Sequence, residues 1–259
     1  MRTTFDDPFL QRIFDTFRAE VDEQFHFVEP GPVPWAKPPA APAATRVALV
    51  TTAALHLAGD APFRTATERL GDTSYRIVPR GTPPFALDLE APYVDRRHVA
   101  QDPEVALPLA ALEALHRAGV TGEPAPRHVS FSGGIVWPWP ALAEPARETA
   151  DIFLEDGVGA VVLVPTCPLC VQTVALLARA YEERGLPTVT LTLLPELTRI
   201  VGAPRALAVR FPFGAPCGEA GNGVMHEAVL REAIALLREA PEPGTVREAT
   251  PRWRRTMER

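Results

Sequence analysis

Short, almost continuously apolar runs that alternate with stretches of helical spacing limit this chain more than any other feature. The runs are residues 46–52 (RVALVTT), 127–132 (RHVSFS), 159–165 (GAVVLVP), 187–194 (PTVTLTLL) and 205–211 (RALAVRF). A strand that is apolar on both faces needs a covering layer on each side, so such runs belong inside a sheet and not in a half-solvated hairpin. Helical spacing falls between or after them, over 107–118, 140–156, 168–184, 195–201 and 224–239. Strand and helix in alternation predict an α/β fold: a mostly parallel, doubly wound, Rossmann-like sheet with helices on both faces. Between the first run and residue 107 the chain is irregular, with strand-like pieces at 75–78 and 85–89.

The amino-terminal flank follows different rules. Over residues 7–27, Phe9, Leu10, Ile13, Phe14, Phe17 and Val21 recur at helical spacing with Arg12, Asp15, Arg18 and Asp22 between them, which predicts an amphipathic helical arm. Residues 29–42 then carry six prolines, which remove too many amide donors for a helix or an interior strand. This predicts a stiff surface linker, anchored by Phe27 and Trp35. The division expected is an arm and linker over 1–42, an α/β domain over 43–240 and a polar, frayed tail over 241–259. The aromatics Phe9, Phe14 and Phe17 point to a homodimer in which the arm crosses to a second subunit.

Composition excludes several partners. With 32 acidic against 26 basic side chains the formal charge is −6, a field that repels phosphate backbones, so nucleic acid is not an expected partner. No stretch approaches 18 apolar residues and the first seven residues carry two acids, so neither a membrane span nor a signal peptide is expected and the chain reads as cytoplasmic. Three cysteines in 259 residues are too few for a disulfide framework, so the close pair Cys167 and Cys170 asks for redox or metal chemistry.

Ligands of open parallel sheets bind beyond the carboxyl ends of the strands, in the loops that follow them. Four such loops stand out: 51–64, 132–138, 165–170 and 211–223. Together they hold every cysteine and His56. In Thr166-Cys167-Pro168-Leu169-Cys170 the first cysteine ends a buried run and Pro168 suits the first position of a helix. Unpaired amides and the positive end of a helix stabilise a thiolate, which makes Cys167 the expected nucleophile, and Cys170, one turn on, the resolving thiol. A free cysteine at a strand-helix junction is also a common small buried residue, but the spaced pair around a proline favours function.

A metal reading stands beside it: Cys167, Cys170, Cys217 and His56 offer zinc three sulfurs and one nitrogen, for a zinc-dependent lyase or hydrolase. His56 is alternatively a proton carrier next to the thiolate, or an ordinary hydrogen-bonded histidine. Thr51, Thr52, Ser132, Gly133, Thr166, Gly214, Cys217 and Glu219 are the expected substrate-binding residues of these loops. The glycines of 211–223 permit close backbone approach to an anion but match no nucleotide fingerprint.

Residues 46–63 (RVALVTTAALHLAGDAPF), 71–79 (GDTSYRIVP), 125–131 (APRHVSF), 156–170 (DGVGAVVLVPTCPLC) and 211–221 (FPFGAPCGEAG) resemble the selenoprotein B family of glycine, sarcosine, betaine and D-proline reductases. In that resemblance Cys167 matches the family's selenocysteine and Cys170 the cysteine three residues after it. The resemblance implies reductive cleavage at the carbon bearing a substrate's amine, electrons delivered by thiols, and a separate pyruvoyl-bearing partner subunit. The resulting expectation is a thiol-dependent oxidoreductase acting on a small polar metabolite. Cys167 attacks, Cys170 resolves, His56 moves a proton and an external thiol reductant restores the pair, with no cofactor (zinc in the alternative). A non-catalytic redox-sensing module is the remaining alternative.

Overall fold

The apolar runs become the strands of a seven-stranded sheet in a computed structural model that describes residues 2–65, 67–68, 70–90 and 95–254. The strands are β1 (Val47–Thr51), β2 (Leu55–Leu57), β3 (Tyr75–Pro79), β4 (Leu87–Leu89), β5 (Arg127–Phe131), β6 (Ala160–Val164), β7 (Thr188–Thr192), β8 (Arg205–Ala208) and β9 (Thr245–Glu248). Helices are α1 (Pro8–Glu20), α2 (Arg96–Gln101), α3 (Leu109–Arg117), α4 (Ala143–Glu155), α5 (Pro168–Glu183), α6 (Pro195–Val201) and α7 (Gly223–Glu239). The main sheet runs β3-β5-β1-β6-β7-β8-β9, and β2 pairs with β4 in a separate antiparallel ribbon. Every neighbour in the main sheet is parallel except β3, which lies antiparallel to β5 at the edge, where its Pro79 costs no ladder bond inside the sheet.

Burial follows the alternation of side chains. Val47 and Leu49 of β1 face a core shared with α3 and α7, while Ala48 and Val50 face one shared with α4 and α5. Both faces of β1, β6 and β7 are therefore covered, as their unbroken apolar runs require.

Helix α5 is buried around nearly its whole circumference, because α1 and α6 pack on the side that faces away from the sheet. The arm, expected from its aromatics to cross to a second subunit, packs on its own chain here. Leu10 and Phe14 of α1 are buried against Val171, Ala175, Leu197 and Val201 of the same chain, and Phe5, Phe14, Phe25 and Phe27 form a chain of ring contacts. The outer faces of α5 and α6 supply the apolar surface on which the arm lies.

The proline-rich return is latched by buried polar groups. Val28 N–H donates to Gln172 Oε1 (2.7 Å) and Arg179 Nη2 donates to Pro32 O (2.7 Å). Ala36 N–H donates to Glu182, Arg205 Nη2 donates to Ala36 O (3.0 Å), and the Arg205 guanidinium carbon lies 3.5 Å from the Trp35 ring centroid. Glu182 and Arg205 are themselves a fully buried ion pair at 2.6 Å. Of the segment read as a polar tail, residues 245–248 form β9, a parallel edge strand on β8. At four residues, three of them polar, it is too short to show a strand period. Residues 255–259 lie outside the described residues. No helix among the described residues is long and apolar enough to cross a membrane.

Candidate active site

The loops after β1, β5 and β6 meet on two threonines and a glycine. Thr166 Oγ1 donates to Thr52 O (3.0 Å), and Thr52 N–H in turn donates to Val164 O (3.2 Å), which braces the ends of two neighbouring strands against each other. Cys170 Sγ lies 3.8 Å from the same Thr52 oxygen and 3.6 Å from Thr166 Oγ1. Gly133 completes the contact. A Cβ on it would sit 2.4 Å from Thr52 O and 2.8 Å from Cys170 Sγ, and its φ of +74° is one that glycine alone adopts easily. The fourth loop joins through Gly214, whose N–H donates to Thr166 O (2.9 Å).

Cys167 is the N-cap of α5, in extended conformation, with Pro168 at the start of the helix. Its Sγ accepts the Cys170 N–H at 3.1 Å, so the sulfur occupies the position where a capping oxygen would satisfy an unpaired amide. The two cysteine sulfurs lie at disulfide-bonding distance with Cα atoms 4.8 Å apart. Both residues are buried, and Cys167 is reached through a cavity of about 530 Å³. Gly134, Val136, Pro168 and Leu169 form one wall of it; Ile13, Phe17, Glu20 and Val21 of the arm and its exit form the other.

The structure thus brings together Thr52, Gly133, Thr166, Gly214, Cys167 and Cys170. Thr51 and Ser132 flank them but are committed to the fold: Thr51 Oγ1 accepts the Ala53 N–H (3.3 Å), and Ser132 Oγ donates to Asp72 O (2.9 Å).

The other three expected residues lie elsewhere. Cys217 is buried in the core between the sheet and α3 and α7, its N–H donating to Val105 O (2.9 Å). Burial, with the carboxylates of Glu104 and Asp102, raises its thiol well above the ordinary range. Glu219 braces the start of α7 against the carboxyl-terminal segment, accepting from Arg254 N–H (2.6 Å) and Asn222 Nδ2 (3.1 Å). His56 sits on β2 opposite Asp88, with Nδ1 3.0 Å from Leu57 O and Nε2 buried without a hydrogen-bond partner. No hydrogen bond joins it to either cysteine. Among the described residues no group of three or more His, Cys, Asp or Glu side chains is placed to hold a metal ion, so the four zinc ligands weighed from sequence are not assembled. The physical reason is the fold of the 211–223 loop, which touches Thr166 at Gly214 and then turns Cys217 inward.

Sequence reasoning missed the arm's part in the site. The apolar face of residues 7–27 was legible, but which surface it covers depends on α5 and α6, far along the chain.

The chain is 32% identical over 200 residues to the D-proline reductase subunit gamma of Acetoanaerobium sticklandii, a match covering 77% of this chain and 81% of that one. It is 32% identical over 157 residues to the sarcosine reductase complex component B subunit beta of Peptoclostridium acidaminophilum, covering 57% of this chain and 35% of the relative. The glycine reductase complex component B subunit gamma of the same organism is 26% identical over 161 residues, covering 60% and 36%. The matched region is therefore about a third of these two longer relatives. No protein-family model and no solved structure matches the chain.

Proposed function

The chain belongs to the family of amino-acid reductase subunits that includes the D-proline reductase gamma subunit and the component B subunits of the sarcosine and glycine reductase complexes, and on that premise we propose that it is the thiol-bearing subunit of a reductase cleaving a small amine-bearing substrate. The observation that carries the reading is Cys167 at the amino terminus of α5, its sulfur accepting the Cys170 N–H. Amide donors and the helix dipole favour the thiolate there, and Cys170 stands within disulfide reach to resolve an adduct.

The reaction balances on the sulfur pair. The Cys167 thiolate attacks the carbon bearing nitrogen; the C–S bond forms as the C–N bond breaks, and the amine leaves with the electron pair and takes a proton. The Cys170 thiolate then attacks the Cys167 sulfur, the disulfide forms, and the C–S electron pair goes to carbon, which is protonated. The substrate gains two electrons and the thiol pair loses two, so an external dithiol must reduce the pair for the next turnover. The relatives are named as subunits of complexes, and a separate partner subunit that holds the substrate is part of this proposal. His56 has no place in the proposed steps, because its Nδ1 is engaged by Leu57 O and nothing links Nε2 to the sulfurs.

The test uses the difference between losing an attacker and losing a resolver. Cys167→Ser should lower activity by orders of magnitude, because a hydroxyl is hardly ionised near neutrality. Cys170→Ser should trap substrate on Cys167, seen by mass spectrometry as a covalent increment. Equal loss in both variants with no adduct would overturn the mechanism.

A further inference from the structure

We infer that Glu20, at the end of α1, is the specificity residue that draws a cationic amine to Cys167, an assignment that rests on the reading of Cys167 as nucleophile. The cavity over Cys167 has mainly apolar walls, with Phe17 and Val21 on the arm and Val136 and Leu169 opposite. Among the described residues Glu20 is the one charged side chain lining it. Among the described residues Glu20 forms no ion pair, so its charge is not already spent on an arginine. Pockets that are apolar with a few placed polar groups orient their ligands through those groups. A carboxylate that shares an apolar cavity with the reacting sulfur attracts cations and repels anions.

The helix that carries Glu20, whose side chain is exposed at the edge of the cavity, is held at both ends. Before the helix, the Asp6 and Asp7 N–H groups donate to the Glu196 carboxylate at 2.9 and 2.7 Å. After it, Trp137 Nε1 donates to Asp22 Oδ2 at 3.0 Å, tying the arm's exit to the loop that follows β5. A small alkylammonium with its charged end at Glu20 would meet the apolar walls and Cys167 in the same cavity. The ligand class is thus a primary or secondary ammonium on a short carbon skeleton, and the charge is read by the arm and not by the sheet.

The experiment needs no knowledge of the natural substrate. The full chain is reduced with a dithiol, freed of it, and alkylated at pH 7 with 2-bromoethylammonium, iodoacetamide or iodoacetate; Cys167 labelling is timed by mass spectrometry. In each case the thiolate displaces halide and forms one C–S bond. The readout is the ratio of the cationic to the neutral rate, compared between variants so that intrinsic reactivity cancels. Glu20→Gln should lower that ratio about three- to tenfold, the factor one charge supplies across a partly solvated cavity. Glu20→Lys should lower it further and speed iodoacetate. Asp15→Asn, on the same helix but outside the cavity lining, should leave the ratio unchanged. Normal labelling with a ratio unaltered in Glu20→Gln, or an equal fall in Asp15→Asn, overturns the inference alone. A Cys167 that none of the three reagents modifies overturns the nucleophile reading and this inference with it.

Discussion

Replacing Gly133 by alanine tests the claim that close approach of three loops holds the cysteine pair in place. Two costs are expected. The left-handed backbone, φ +74°, disfavours any residue with a Cβ by about 1–2 kcal/mol. The added methyl would also sit 2.4 Å from the Thr52 carbonyl oxygen and 2.8 Å from Cys170 Sγ. Neither neighbour is free to yield: the carbonyl is held by Thr166 Oγ1 and the sulfur lies in the first turns of a buried helix. Overpacking of that kind costs about 1–3 kcal/mol, for a total of about 2–5 kcal/mol. Gly185→Ala is the reference, since Gly185 has φ +82° and open space around the position of its Cβ, and carries the backbone cost alone. Chemical denaturation of both variants should therefore separate them by about 1–3 kcal/mol, equivalent to several degrees in Tm for a chain of this size. The Gly133 variant should also re-form the Cys167–Cys170 disulfide more slowly, because the methyl displaces Cys170. Equal destabilisation of the two variants, with unchanged reoxidation, would refute the close-approach argument.

Removing one member of the buried pair, as in Glu182→Ala, leaves Arg205 desolvated and unpaired and should cost about 3–5 kcal/mol. It should also loosen residues 29–42, seen as faster limited proteolysis there. His128 is buried, its Nδ1 accepting the Leu49 N–H, and burial pushes its pKa down to about 4. A depressed histidine pKa means the unfolded chain binds the extra proton first, so the contribution is intact above about pH 6.5 and is lost as pH falls towards 4, by on the order of 3 kcal/mol. Denaturation midpoints followed over that range should show a steeper acid loss in the parent than in His128→Gln, and parallel curves would contradict it. Cys217, with its thiol raised by burial, should resist alkylation at neutral pH until the protein unfolds; thiol counting by mass spectrometry before and after denaturant checks this.

What the sequence determined by itself is local. The span 195–201 is helical as its spacing and Pro195 imply, and the runs at 46–52, 127–132, 159–165 and 187–194 are strands within a residue or two of their apolar bounds. The start of α5 at Pro168, with Cys167 as its cap, is equally local, because a capping residue, a proline and the first turn lie within a few bonds of one another. The two cysteines proposed as nucleophile and resolver were therefore readable as candidates from five consecutive residues. The position of Thr52, Gly133 and Gly214 around them followed from the rule that strand ends gather ligands, but their contacts did not.

Only the tertiary structure decided which distant segments meet there. Cys217 and Gly214 are three residues apart, yet one faces a core beneath α3 and α7 and the other touches Thr166. The arm's apolar face was periodic and plain, while its docking on α5, and the placing of Glu20 over Cys167, rest on surfaces about 150 residues away. Trp35 was legible as an anchor of the linker, but its partner Arg205 and the Glu182 paired with that arginine look in sequence like ordinary exposed residues. Periodicity and capping are set by neighbours along the chain, and so are legible; long-range complementarity of two surfaces is set by the shape each acquires after folding.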